Sequence, residues 1–225
     1  MPFECIETVT GLHPIVARLH GFDAGGQTRS AGGKRTAALR LGDRLGTVPG
    51  LASGDERLST NHAIARFLDA HHPDPPLLPA DPVRRAAVEA VERWANGRLQ
   101  MDARRIVGSA VLRDPDGFSR SSANGRLGPL LYRRRLARRL LIPRLGPTFA
   151  VSEHAERELL AELPATLDRI DAWIAEGTIG GEQPNVADFM IVPSLALILY
   201  RRVLQDMFTG RPTLELLDRL LPEPR

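Results

Sequence analysis

The sequence predicts two unlike parts in series: a small α/β part over residues 1–76 and an all-helical part over residues 82–225. Three observations carry that reading. Two short extended runs flank the turn signal Ser53-Gly54-Asp55-Glu56, as in a β-hairpin. A proline-rich stretch follows, with Pro73, Pro75, Pro76, Pro79 and Pro82, and it reads as a linker between domains. Beyond it, apolar residues recur at helical spacing over long runs.

The composition narrows the class. A chain of 225 residues can bury a sizeable core, and 43% hydrophobic with 25% charged residues is ordinary for a globular protein. That excludes a wholly disordered or collagen-like chain. No run approaches the ~18 apolar residues of a membrane span, so no membrane partner is expected. The opening MPFECIETV lacks a basic segment followed by an apolar one, so no signal peptide is read there. Cys5 is the single cysteine and has no disulfide partner in the chain, which fits a cytoplasmic protein. Lys34 stands alone against 29 arginines, a bias that reflects a GC-rich genome more than a function. The net charge of +3 is small and the 27 acids are interspersed, so no nucleic-acid partner is expected.

Taken in order, residues 3–9 alternate loosely and read as a strand. Residues 13–19 read as a brief helix, and residues 21–33, with five glycines, as a flexible loop. The hairpin follows over residues 47–58. Thr60 or Asn61 then caps a helix whose apolar face is Ile64, Phe67 and Leu68, ended by His71-His72-Pro73. Asp81 caps the next helix with Pro82 at its first position. Its apolar run passes through Val88, Val91, Trp94 and Leu99 towards Leu112. Residues 114–128 are broken by proline and glycine, and residues 130–141 read as a strongly basic helix. Residues 153–176 are helical, with Leu159, Leu163, Leu167 and Ile170 on one face. Residues 185–204 form a helix apolar on nearly all sides, hence buried. A short helix spans residues 213–221.

Several residues invite chemistry, each beside a plainer role. Val48-Pro49 lies in the hairpin, where proline removes a donor and so marks an edge or a bend. That backbone either bends without consequence or pairs with an extended ligand. Thr60 and Asn61 stand at a helix N-terminus, which favours an anion but also needs an ordinary cap. Asn185-Val186-Ala187-Asp188 is a capping box, with Pro184 and Phe189 as its staple. Cys5 in a strand reads as a small apolar side chain, and His71-His72 lacks partners at metal-ligand spacing. Tyr132 is placed by no pattern, and the arginines at 133, 134, 135, 138 and 139 read as a solvated face or an acidic-ligand surface.

Three of these segments together resemble the soluble glutathione S-transferases: Thr47-Val48-Pro49-Gly50-Leu51 with its hairpin, Asn61 to Asp69 with His72-Pro73 and Pro76-Leu77-Leu78-Pro79, and Gly181 to Phe189. The resemblance implies an incomplete thioredoxin-like N-terminal domain followed by the family's all-helical C-terminal domain. It implies a cis bond at Val48-Pro49 and glutathione, as substrate, held by Val48, Pro49, Thr60 and Asn61. The family usually has an acidic residue followed by serine where Thr60-Asn61 stand here, so the carboxylate that pairs with the ligand's ammonium is missing. Arg104, Arg105 and Gly108 are the expected wall for the electrophile, and a homodimer is expected. The opening Phe3-Glu4-Cys5-Ile6-Glu7 matches the family's second strand, so the first strand and helix, which carry the catalytic Tyr, Ser or Cys, read as absent. In the family that first strand lies between the second and third, so the strand at residues 3–9 and the hairpin are expected to stand unpaired. The catalytic residue stays unassigned. The other reading is a non-catalytic binding or dimerisation module of the same fold.

Overall fold

A computed structural model of the chain describes residues 4–6, 50–53, 56–58, 60–114 and 151–221. In chain order its elements are strands β1 (Glu4–Ile6), β2 (Gly50–Ser53) and β3 (Glu56–Leu58), then helices α1 (Asn61–His71) and α2 (Pro82–Trp94). A π-helical turn (Ala95–Leu99) joins α2 to α3 (Gln100–Arg113), and α4 (Glu153–Ala175), α5 (Val186–Ile198), a 3-10 turn (Arg202–Met207) and α6 (Pro212–Leu220) complete it. The expected brief helix at residues 13–19, the loop at 21–33, the Val48-Pro49 bond and the basic stretch from Tyr132 to Arg139 lie outside the described residues.

The hairpin forms where the turn signal put it: β2 and β3 pair antiparallel, closing at Ser53↔Glu56. β1 pairs antiparallel with β2 in the register Glu4↔Ala52, Cys5↔Leu51 and Ile6↔Gly50. This corrects one expectation, because β1 and the hairpin are direct neighbours and need no strand between them.

The caps read from sequence are used. Thr60 Oγ1 accepts from Ala63 N at 3.1 Å and Asp81 Oδ1 from Arg84 N at 2.8 Å; Ser152, a cap the sequence pattern did not single out, accepts through Oγ from Ala155 N at 3.1 Å. The proline-rich stretch is less free than a linker. Leu77 and Leu78 are buried, Leu77 N donates to Asp69 Oδ1 at 2.6 Å, and Leu77 O accepts from Val186 N at 3.0 Å. Two apolar side chains among prolines gain more from burial than a solvated linker gives up.

Helix α5 is the axis of the helical part. Phe189, Ile191, Leu195 and Ile198 are almost fully buried, and α2, α3 and α6 pack around it. Burying a helix end leaves its first N–H groups without water, so each needs a protein acceptor. Val186 N uses Leu77 O, Ala187 N uses Asn185 Oδ1 at 2.9 Å, and Asn185 N uses Asp188 Oδ2 at 2.8 Å. Asp188 also accepts from Gly180 N at 2.8 Å, and Asn185 Nδ2 donates to Thr178 O. Asp188 is 0% exposed, and burial raises its pKa against the pull of the Asn185 and Gly180 amides and Arg219.

The helix stops short of the expected residue 204. Tyr200 N bonds to Leu197 O and Arg201 N to Ile198 O, the tighter spacing of a helix that is closing off. Arg201 then reaches Glu156 Oε1 at 2.5 Å, which pairs its guanidinium just beyond the apolar helix. Among the described residues no helix is long and apolar enough to cross a membrane.

Asp188→Ala removes the acceptor of two buried amides and half of the cap. The expected loss is about 2–4 kcal/mol, read as a melting temperature lower by roughly 5–15 °C. An unchanged melting temperature would show that the carboxylate does not hold this turn.

Candidate functional site

The first turn of α1 is the most exposed helix start that the resemblance singled out. Thr60 has extended dihedrals, φ −121° and ψ 147°, and its oxygens take two of the first donors: Oγ1 from Ala63 N and the carbonyl from Ile64 N at 2.9 Å. Among the described residues the amides of Asn61 and His62 meet no acceptor, and α1 has no acidic residue in its first turn. The positive end of the helix is therefore uncompensated by a carboxylate of its own. Asn61 turns its side chain inward, with Nδ2 3.9 Å from Met190 Sδ on α5, while its Oδ1 is buried without a protein partner. Val48 and Pro49 lie outside the described residues, although β2 begins at the next residue, Gly50.

The same helix is gripped from the second part of the chain. Glu92 on α2 is 3% exposed, and its carboxylate accepts from Arg66 Nη2 at 2.6 Å and Nη1 at 3.4 Å. His62 Nδ1 lies 3.4 Å from the same carboxylate, and Arg66 also lies 3.6 Å from Glu89. One buried acid thus touches the first and second turns of α1. At the other end, His71 stacks on Phe67 with ring centroids 4.0 Å apart and its Nδ1 is 2.9 Å from Phe67 O. His72 N donates to Leu68 O as the C-cap, so the histidine pair closes the helix.

The expected electrophile wall falls on α3. Arg105 lines a cleft of 340 Å³ between α3 and α4, with Arg98, Met101, Asp102, Leu159 and Glu162. Its charges are matched internally: Arg98 pairs with Asp102 at 3.4 Å and with Glu162, and Arg105 Nη1 is 3.9 Å from Asp102. Burial raises the pKa of Asp102, against the lowering pull of Arg98 and Arg105. Arg104 and Gly108 stand outside this lining. Arg104 is half-buried with its pKa lowered by burial, and Nη1 donates to Gln100 Oε1 at 3.1 Å. A Cβ on Gly108 would lie 3.0 Å from Val151 Cγ2, so this glycine serves close packing. The structure brings Thr60 and Asn61 together at one helix end, and it spreads Arg104, Arg105 and Gly108 over different surroundings.

No family model matches the chain. A stretch of 42 residues is 48% identical to glutathione S-transferase Z2 of Arabidopsis thaliana, which is 19% of this chain and 19% of that protein. Over the whole chain the likeness is to solved structures. A glutathione S-transferase from Rhodospirillum rubrum aligns with 100% of this chain and 94% of its own, at a TM-score of 0.59 and 17% identity. The fold is that of the glutathione S-transferases. Another of these, from Methylobacterium radiotolerans in complex with glutathione sulfonate, aligns over 99% of this chain and 91% of its own, at a TM-score of 0.56 and 19% identity.

Within this glutathione S-transferase fold, sequence reasoning found the α1 start and missed the Glu92 grip. Arg66 and Glu92 are 26 residues apart on different helices, so no local spacing announces the pair. A glutamate on the apolar face of α2, between Val88, Val91 and Ala95, was the available signal.

Gly97, in the π-helical turn at the edge of the cleft, has nothing within 4 Å of a Cβ built on it. Gly97→Ala is therefore expected to raise stability by about 0.5–1 kcal/mol through helix propensity alone. A thermal melt that falls instead would show that this turn needs glycine for its backbone.

Proposed function

We propose that this chain holds a thiol peptide of the glutathione kind, with the acidic end of the peptide at the first turn of α1. The open Asn61 and His62 amides at the capped start of α1, within a glutathione S-transferase fold, carry this reading. Carboxylates bind at helix N-termini because the N–H groups point at them and the helix dipole favours negative charge. The resemblance adds Val48 and Pro49 beside β2, where an extended ligand pairs with backbone, and Thr60 and Asn61 at the helix end. Of the expected electrophile wall, Arg105 on α3 lines a cleft, while Arg104 and Gly108 stand outside it.

The reaction that follows is attack of the ligand's thiolate on an electrophile. It needs a donor near the sulfur to lower the thiol pKa. The resemblance gives that role to a Tyr, Ser or Cys at the junction of the family's first strand and helix, the segment that reads as absent here, so the catalytic residue stays unassigned. A cytoplasmic homodimer is part of the same reading.

A second reading, a binding module without turnover, is favoured by one observation. Thr60 and Asn61 are both engaged inside the protein, and neither supplies the carboxylate that would pair with the ammonium of a γ-glutamyl group. The two readings separate on turnover.

Glutathione should raise the melting temperature saturably. A ligand at about 100 times its Kd adds about 2.7 kcal/mol of stability. Conjugation of glutathione to a chlorodinitrobenzene electrophile distinguishes enzyme from binder, and a melting temperature that glutathione leaves unmoved contradicts both.

A further inference from the structure

The start of α1 is set by a residue of the other part of the chain. We propose that Glu92 is a positioning residue: from α2 it fixes the first turn of α1, and with it the two open amides that receive the acidic end of the thiol ligand. The inference rests on the ligand reading given above, but its structural half stands without it.

A carboxylate at 3% exposure is costly unless opposite charge and hydrogen bonds surround it. Among the described residues Glu92 meets that condition through α1 alone: the guanidinium of Arg66, on the second turn, and the imidazole of His62, on the first. Arg66 cannot leave without stranding a buried charge, so α1 cannot slide or rotate on α2. His62 is the second residue of the helix, and its own amide is one of the two open donors. The contact to its side chain therefore acts on the residue whose backbone is offered to the ligand. Asn61, which owns the other open amide, is seated on Met190 of α5, so the helical part touches both. The hairpin side supplies no comparable tie to this turn among the described residues. An anion bound by two amides is sensitive to their direction, because hydrogen bonds weaken steeply as they bend.

The test compares Glu92→Gln with Glu156→Gln. Glu156 is an equally buried carboxylate, paired with Arg113 and Arg201 and remote from α1, so it reports what loss of a buried ion pair does in general. Amide hydrogen exchange of the intact chain is read first. In Glu92→Gln the peptide covering residues 60–64 should exchange at least ~10-fold faster, and in Glu156→Gln it should stay at the wild-type rate. Glutathione affinity, measured by calorimetry below the melting temperature of each variant, should fall at least ~10-fold in Glu92→Gln. It should stay within about twofold in Glu156→Gln and recover in part in Glu92→Asp, which restores the charge. Equal exchange and equal affinity in the two Gln variants would overturn the proposal. If wild-type protein binds no glutathione, the ligand reading fails, while the exchange comparison still decides whether Glu92 sets the turn.

Discussion

The buried start of α5 is the constraint from which the rest of the helical part follows. A helix apolar on almost every side releases the most free energy when it is wholly surrounded, but surrounding it strips water from its first amides. The chain solves this with Asn185 and Asp188 inside the helix end and with the Leu77 carbonyl from outside it. The second solution has a structural consequence. Because Leu77 gives its carbonyl to Val186 and its amide to Asp69, the segment after α1 is fastened on both sides of one residue. The join between the two parts of the chain is thus built into the cap of the central helix. The turn before that cap is also tied in: Arg219 on α6 donates to Gly180 O at 2.7 Å and to Gly181 O at 3.0 Å.

Three buried carboxylates divide the remaining work among the helices. Asp188 closes the start of α5, Glu92 locks α1 onto α2, and Glu156 draws together the end of α3, the start of α4 and the segment after α5. Buried acids add little net stability against apolar replacements, yet they are severe about geometry, since a misplaced partner leaves an uncompensated charge. This distribution makes each helix contact specific where leucine-on-leucine packing alone would tolerate sliding. Asp171 does a similar task nearer the surface, accepting from Thr213 N at 2.9 Å and from Arg211 Nη1 at 2.7 Å to start α6.

Local signals in the sequence translated well. The caps at Thr60, Asp81 and Asn185, the Gly54-Asp55 hairpin and the span of α4 each depend on residues within a few positions of one another. What did not translate depends on partners far along the chain. Leu77 and Leu78 look like linker residues until the α5 end that they serve is in place. Arg201, just past the end of α5, pairs with Glu156, 45 residues before it. The pairing of β1 with β2 joins residues more than 40 positions apart, and only the assembled sheet reveals it. At the candidate site the sequence located the helix end through Thr60 and Asn61. It could not tell that Asn61 faces Met190, or that Arg105 joins a cleft while Gly108 packs against Val151.

The proposed function places the thiol ligand at the start of α1 of this glutathione S-transferase fold. Amide resonances followed through a glutathione titration test it most directly, since each backbone N–H reports on its own surroundings. The largest shifts should fall on Asn61 and His62, the two open donors, with smaller ones on the Gly50–Ser53 strand. Shifts concentrated instead on Arg98, Asp102 and Arg105, in the cleft between α3 and α4, would contradict this placement and move the ligand to that cleft.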